Sequence, residues 1–277
     1  MESPRSANKE QEHMDAFWHG LILGAVEGLT EFLPVSSTGH LIITGELMGF
    51  TGPKASTFEV AIQLGAIMAV VWLYRERFLG FIRPAPGVRF SGIRGLWLLF
   101  LTTLPPGLAG LALHGAVKAL FNPASVALAL ATGAVLMLLV ERRGEPDAVV
   151  SLDEITPRLA LGIGCFQCLA LWPGFSRSAS TIMGGMLLGT RRTVAAEYSF
   201  LAAVPLMCAA TGYDLLKNRH LLSLDDLPLF AWGGLFSFLF AVLAVKGFIA
   251  LLGRTTLRPF AWYRLALAPL VYWFLAY

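Results

Sequence analysis

Two glutamates four residues apart lie in a stretch that is otherwise apolar enough for a membrane interior. Glu27 and Glu31 precede a proline, and the segment from Glu27 to His40 reads EGLTEFLPVSSTGH. A charged side chain at bilayer depth costs about 2.5–3.5 kcal/mol on insertion scales, so an intramembrane pair indicates a functional site. Residues at this spacing share one helix face, and two carboxylates on one face suit a divalent cation. We therefore predict Glu27 and Glu31 as catalytic residues and as metal ligands.

Hydroxyl groups and a histidine follow the two glutamates. Ser36, Ser37 and Thr38 come just after the proline break, and His40 begins the next apolar segment. The first N–H groups of a helix attract anions, and nearby hydroxyls add hydrogen-bond donors. His40 could act toward phosphorus as general base, general acid or nucleophile. We predict Ser37 and His40 as catalytic residues, and the sequence leaves open whether Ser37, His40 or a water molecule attacks.

A second hydroxyl-rich segment contains an arginine. It reads PGFSRS from Pro173 to Ser178 and also lies between two apolar pieces. Serine and threonine alone are weak evidence, since they also cap helices and tie helices together. The planar fork of Arg177 suits phosphate oxygens, and an arginine between apolar half-helices implies an anionic ligand or a carboxylate partner. We predict Arg177 as catalytic. The phosphate-binding residues that we predict are Ser36, Thr38, Ser176, Ser178 and Thr181.

The surrounding elements are those of a polytopic membrane protein. The chain has 277 residues, of which 56% are hydrophobic and 14% charged, and its mean hydropathy is +0.66. The net charge of +3 comes from arginine-rich connections, so no nucleic-acid-binding face is indicated. We predict an all-α fold with about six transmembrane helices and two broken re-entrant helical hairpins. The predicted spans are residues 58–74, 95–115, 124–140, 194–213, 227–252 and 260–277.

The two broken hairpins belong to an internal repeat. A shift of 140 residues aligns Gly24 with Gly164, Glu27 with Gln167, Leu29 with Leu169, Ser36 with Ser176, and Thr38 with Ser178. Each half contains one hairpin and three spans. Because three is odd, the halves must have opposite orientations, which is the inverted-repeat plan in which broken helices meet near the membrane midplane.

Charge distribution predicts the boundaries and the orientation of the domain. Residues 1–16 are polar and are predicted as a disordered tail, followed by one integral membrane domain over residues 17–277. Its half-repeats are 17–140 and 159–277, with a linker at 141–158. An arginine-rich connection after residue 74 should be cytoplasmic. Arg254, Arg258 and Arg264 suggest the same for the last connection, which leaves both termini and the mouth of the first hairpin outside.

The two motifs closely resemble the signatures of the undecaprenyl-diphosphate phosphatase family, also called the bacitracin-resistance protein family. The resemblance covers essentially the whole chain after the tail, including FEVAIQLGAI from Phe58. One departure is Ala179, where members commonly have glycine. The resemblance implies that the positions matching the family motifs are functional. These positions are Glu27, Glu31, Ser37, His40, Ser176, Arg177 and Thr181.

The resemblance implies removal of the terminal phosphate from a C55 polyprenyl diphosphate, by an acid anhydride hydrolase. The product is the monophosphate carrier that is reused in cell-wall synthesis. The resemblance also implies bacitracin resistance, a location in the inner membrane, a site that opens to the periplasm, and a divalent cation such as Mg²⁺ or Ca²⁺. A homodimer is left open as a further partner.

Two alternative hypotheses assign the protein to classes other than enzymes. A polyprenyl-phosphate transporter or flippase would use the same inverted repeat, but it would not need a nucleophile or a base. A structural membrane subunit would leave Glu27, Glu31 and Arg177 unexplained. The sequence contains no zinc-ligand spacing, no Walker loop and no dinucleotide fingerprint, so a phosphate site must be built from carboxylates, hydroxyls, one histidine and one arginine.

Overall fold

The computed structural model describes residues 4–144 and 149–276, and this part of the chain is helical without a β-strand. The first half contains α1 (Pro4–Thr30), α2 (Ser37–Leu47), α3 (Pro53–Leu73), α4 (Arg75–Ile82), α5 (Gly92–Ala112), α6 (His114–Ala119) and α7 (Pro123–Arg142). The second half contains α8 (Pro157–Gln167), α9 (Arg177–Leu187), α10 (Arg192–Lys217), α11 (Leu227–Leu252) and α12 (Arg258–Ala276).

Long apolar helices confirm the predicted membrane fold. Among the described helices, α3, α5, α7, α10 and α11, the last with its preceding turn, are long and apolar enough to cross a membrane. The remaining predicted span is α12, a helix of 19 residues that also carries arginines. The protein is therefore an all-α, multi-pass membrane protein, and its helices fall close to the predicted spans.

The N-terminal segment departs from the predicted disordered tail. Helix α1 begins at Pro4 and runs without interruption to Thr30. Its first turns contain alanine, lysine, glutamine and glutamate, which are good helix formers. Extending an existing helix adds one hydrogen bond per residue and avoids the cost of nucleation, so the apolar part of α1 can continue outward into a polar sequence.

Both predicted breaks occur, and they have matching geometry. The first lies between α1 and α2, and the second lies between α8 and α9, where a 3₁₀ turn at Cys168–Leu171 precedes the break. Helices α2 and α9 each have 11 residues and begin 140 positions apart, at Ser37 and Arg177. This agreement in length and offset supports the internal repeat.

The first helix of each broken hairpin packs against a helix of the other half. Helix α1 packs along α11 of the second half, and α8 packs along α5 of the first half. Glycines permit both approaches: a Cβ atom added at Gly24 would lie 2.5 Å from the carbonyl oxygen of Gly233, and one at Gly164 would lie 2.6 Å from that of Thr102. Small residues commonly allow membrane helices to approach this closely. Since Gly24 and Gly164 are equivalent in the repeat, both halves use the same packing device.

We expect Gly24→Ala and Gly164→Ala each to destabilise the folded protein by about 1–3 kcal/mol, because the added methyl group would push apart two helix backbones. The measurement is the thermal midpoint in detergent, followed by near-ultraviolet circular dichroism. Gly107→Ala is the matched control, since a Cβ atom at that position in α5 meets no atom within 4 Å. Equal midpoints for all three variants would contradict the close helix contact.

Candidate active site

Two serines with unusual backbone conformations begin the re-entrant helices. Ser36 and Ser176 have φ angles of 71° and 79°, and they are the non-glycine residues with positive φ among those described. Their side chains cap the helices by accepting hydrogen bonds from the N–H groups of Gly39 and Ala179. Such backbone conformations cost of order 1–3 kcal/mol and cluster at functional sites. The first turns of α2 and α9 are therefore held in a fixed orientation by equivalent residues.

Glu31 connects the two re-entrant helices. The Ser37 hydroxyl donates to its Oε2 atom at 2.6 Å, and an Arg177 N–H group donates to its Oε1 atom at 3.0 Å. Ser37 and Arg177 are the first residues of α2 and α9, so they are equivalent in the repeat. The carboxylate is only 8% exposed. One buried glutamate thus receives a hydroxyl from one half of the protein and a cation from the other.

Arg177 has several further contacts. It donates to the carbonyl oxygen and the hydroxyl of Ser199 at 3.1 and 3.2 Å, and its guanidinium carbon lies 5.3 Å from the ring centre of Phe32. Its Nε–H group is buried without a hydrogen-bond partner in the described part of the chain. An unused donor on a buried guanidinium is costly unless a ligand binds it. This group is suited to a phosphate oxygen.

Ser199 is a member of the site that the sequence analysis missed. It is wholly buried in α10, where its hydroxyl lies 2.6 Å from that of Thr181 and also accepts from Arg177. In the sequence, Ser199 is distinguished only as a hydroxyl-bearing residue within an apolar span. Single serines of this kind are common between membrane helices, so only the contact with Arg177 reveals its role.

Glu27 lies on the same face of α1, one turn before Glu31. Its side chain is completely buried, and neither carboxylate oxygen has a hydrogen-bond partner among the described residues. Glu31, Glu59 and Arg177 are close enough to interact with it electrostatically. An unpartnered carboxylate beside a second one fits a hard cation, which binds through oxygen. The described residues contain no group of three or more acidic, histidine or cysteine side chains in metal-binding geometry, so Glu27 and Glu31 are the pair of carboxylates that this part of the chain offers to a cation.

The predicted phosphate-binding hydroxyls have different surroundings. The Ser178 hydroxyl is buried, lies 3.0 Å from that of Ser176, and donates to the carbonyl oxygen of Leu33, which ties the second break to the first. Thr181 bonds to Ser199 and to backbone of its own helix. Thr38 is half-buried and makes none of the hydrogen bonds described for this site. Ser176 and Thr181 are thus beside Arg177, whereas Ser178 has a bridging contact.

His40 forms its hydrogen bonds with groups other than the glutamates. Its Nδ1 atom lies 2.7 Å from the carbonyl oxygen of Ser36, and its Nε2 atom lies 2.6 Å from the hydroxyl of Tyr263. The hydrogen bonds of the described residues do not join His40 to Glu27, Glu31 or Ser37. The structure therefore brings together the two glutamates, Ser37 and Arg177, and it places His40 on an adjoining surface.

That surface belongs to an apolar cavity of about 540 Å³ beside the first break. Its walls come from α1, α2, α11 and α12, and they are almost entirely apolar apart from His40, Tyr263 and Thr30. This volume lies in the range of small-molecule sites, which are mostly apolar with a few polar groups. An apolar chain attached to an anionic headgroup matches the combination of cavity and charged centre.

The position of Arg264 differs from the one predicted from the sequence. The sequence analysis assigned it to a cytoplasmic connection together with Arg254 and Arg258. Those two are exposed, but Arg264 is completely buried within α12. The reason is that its guanidinium donates to five backbone carbonyl oxygens. They belong to Pro34 in the first break, Gly174 and Phe175 in the second, and Ala129 and Leu130 in α7.

Breaks in helices explain why a buried arginine is needed. The residues of a break leave carbonyl groups without intrahelical partners, and these must be satisfied inside the membrane. Gly133 in α7 makes room for the guanidinium, because a Cβ atom there would collide with it. Arg264 thus holds both breaks against α7, and no carboxylate of the described residues pairs with it.

Comparisons with known proteins assign the chain to a family. A family model described as Bacitracin resistance protein BacA matches residues 20–270. The chain is 72% identical over 257 residues to an undecaprenyl-diphosphatase of Nitratidesulfovibrio vulgaris strain DP4, covering 92% of this chain and 97% of that protein. It is 66% identical to an undecaprenyl-diphosphatase of Maridesulfovibrio salexigens, with 94% and 99% covered. A protein of the same name from Lawsonia intracellularis is 61% identical, with 91% and 96% covered. The resemblance carried by the two motifs is therefore confirmed, and the chain belongs to the BacA bacitracin-resistance protein family.

Proposed function

We propose that this protein is an undecaprenyl-diphosphatase, which hydrolyses the terminal phosphate of a polyprenyl diphosphate. The observation that carries the proposal is the Glu31 carboxylate, which is bonded on one oxygen by Ser37 and on the other by Arg177. A hydroxyl beside a carboxylate can be a nucleophile with its base, and an arginine can bind phosphoryl oxygens. The names of the relatives and the family support the same activity.

Phosphate binding follows from the groups around Arg177. The incoming diphosphate competes with Glu31 for the guanidinium and also occupies the unused Nε–H group. The capped starts of α2 and α9 contribute N–H groups, and the hydroxyls of Ser176 and Thr181 belong to the N-cap and the first turns of α9. Preorganised donors of this kind stabilise charge that develops on the phosphoryl oxygens during transfer. Bound phosphate therefore releases Glu31 from its ion pair.

The geometry favours Ser37 over His40 as the nucleophile. Ser37 Oγ is 2.6 Å from the Glu31 carboxylate, whereas His40 contacts neither residue. In this scheme, Ser37 Oγ attacks the terminal phosphorus and Glu31 takes its proton. The bond from phosphorus to the bridging oxygen breaks, and polyprenyl monophosphate leaves. Water then hydrolyses the phosphoserine, which releases inorganic phosphate and restores the hydroxyl.

A divalent cation, Mg²⁺ or Ca²⁺, is part of the proposal. Glu27 and Glu31 would hold it, since Glu27 is a buried carboxylate without a partner in the described residues. Magnesium is typically bound by one or two carboxylates together with substrate phosphates and water, so two protein ligands are enough. When bound, the ion supplies positive charge that offsets the charge of the diphosphate.

The apolar cavity would hold the first isoprenoid units of the lipid. We expect Gly247→Leu to raise the KM for polyprenyl diphosphate about tenfold, because the new side chain fills space beside α11 that the lipid chain needs. Gly247 lines the cavity, and a Cβ atom there meets no atom within 4 Å. The measurement is steady-state kinetics in mixed micelles. Gly107→Leu, also at an open position, is the control, and an unchanged KM in the cavity variant would contradict this location of the chain.

The proposed setting is the inner membrane, with the site open to the periplasm. The arginine-rich connection between α3 and α5 supports a cytoplasmic location for that end of the bundle. Cysteine accessibility to an impermeant thiol reagent in whole cells would test the orientation. The partners in this setting are the polyprenyl lipid and the surrounding bilayer lipids, and the homodimer stays a prediction.

The experiment that tests the function is phosphate release from polyprenyl diphosphate by the purified protein in detergent, with and without a chelator. Release that depends on a divalent cation is expected. A polyprenyl-phosphate transporter is the second candidate, because equivalent broken helices in two repeated halves are also typical of inverted-repeat transporters. Lipid binding without phosphate release under any cation would contradict the phosphatase and favour the transporter.

A further inference from the structure

The hydrogen bonds of His40 define which ring nitrogen carries its proton. Nδ1 lies 2.7 Å from the Ser36 carbonyl oxygen, which can only accept, so Nδ1 is the donor. In the neutral ring, Nε2 is then an acceptor, and the Tyr263 hydroxyl must donate to it at 2.6 Å. The two rings are also nearly parallel, with centroids 5.6 Å apart and planes 10° apart. Both the tautomer and the ring orientation of His40 are therefore determined.

Tyr263 has a fixed position relative to the breaks. It precedes Arg264, whose guanidinium binds carbonyl groups of both breaks. The register of α12 against the first break is therefore set by an adjacent residue on the same helix. Tyr263 and His40 together form the main polar area on the wall of the apolar cavity, which the first break also lines.

A simpler explanation for Tyr263 is that its side chain only contacts lipid at the membrane interface. Tyrosines are common near membrane interfaces, and Tyr263 is 47% exposed. Tyr272 of the same helix has a similar exposure, 48%, but is not among the residues that contact His40. What separates the two is the short hydrogen bond and the ring stacking of Tyr263.

We propose that Tyr263 is a positioning residue that holds His40 in the Nδ1–H tautomer, with Nε2 at the wall of the apolar cavity. This inference rests on the proposed phosphatase function. In that reaction, His40 lines the cavity beside the first break, and the lone pair of its Nε2 atom can accept a proton during turnover. Tyr263 acts through His40 and does not touch the reacting phosphorus.

Removing only the hydroxyl tests the proposal. Tyr263→Phe keeps the stacked ring but removes the donor to Nε2, so we expect kcat to fall about tenfold with little change in KM, the size of one net hydrogen bond. In the His40→Gln background, the same substitution should have no further effect on kcat, because its action passes through His40. Tyr272→Phe is the matched control, and it should behave as the wild type.

A spectroscopic measurement tests the tautomer without activity. In protein labelled with ¹⁵N-histidine, the five histidines give ring-nitrogen signals, and His40→Gln identifies those of His40. We expect Tyr263→Phe to shift the His40 Nε2 signal and Tyr272→Phe to leave it in place. An unshifted signal would overturn the proposal, and so would a wild-type kcat or a loss of kcat that persists in the His40→Gln background. If the wild type releases no phosphate, the function fails while the signal still tests the contact.

Discussion

Glu31→Gln should reduce phosphate release by a factor of about 10²–10³, the usual cost of losing one preorganised group at a reacting centre. The amide keeps the size of the side chain but cannot take a proton from Ser37, and it cannot pair with the charge of Arg177. Both effects remove functions of one buried carboxylate. The measurement is initial-rate phosphate release from polyprenyl diphosphate in detergent at saturating divalent cation.

The control for this variant lies on the same hairpin. Glu46 is exposed near the end of α2, so Glu46→Gln makes the same chemical change away from the breaks. It should keep the wild-type rate. If Glu31→Gln retained more than a tenth of the wild-type rate while remaining folded, neither base catalysis by Glu31 nor its ion pair with Arg177 would be required.

The centre of the site was predictable because it lies in local sequence signals. Charged and hydroxyl-bearing residues beside proline breaks are expensive in a membrane, so their presence indicates where the breaks are. The two N-cap serines and the equal offset of α2 and α9 follow from the same short motifs. The meeting of Glu31 with Arg177 follows from the inverted repeat, which places two broken helices near one midplane.

Residues that act across the fold were not predictable in this way. In the sequence, Arg264 looks like an arginine near a helix end. Its carbonyl partners come from three separate segments, which the sequence does not show to be close together. Ser199 and Tyr263 lie in apolar helices, where serine and tyrosine commonly occur without belonging to a functional site. The contact of α1 with α11 likewise joins residues from opposite halves. Such pairings depend on tertiary packing, which no local pattern encodes.

Arg264→Lys should destabilise the folded protein by about 3–5 kcal/mol, because a buried hydrogen-bonding group without a partner costs about 1–3 kcal/mol and the lysine leaves several carbonyl groups unpaired. A lysine has three donors on one nitrogen, so it cannot reach five carbonyl oxygens that are spread over the first break, the second break and α7. Unsatisfied carbonyls inside the membrane would then loosen both breaks. The measurement is the thermal midpoint of the detergent-solubilised protein, with phosphate release assayed below that midpoint.

Two further variants separate the bonding role from the positive charge. Arg258→Lys changes an exposed arginine at the start of the same helix and should leave the midpoint unchanged. Gly133→Ala keeps Arg264 but inserts a methyl group where the guanidinium lies, so it should lower the midpoint as well. A stable Arg264→Lys protein with normal activity would show that the breaks hold their geometry without the guanidinium. A loss of stability shared by Arg264→Lys and Gly133→Ala would instead mean that the guanidinium contacts, and not the positive charge alone, hold the two breaks against α7.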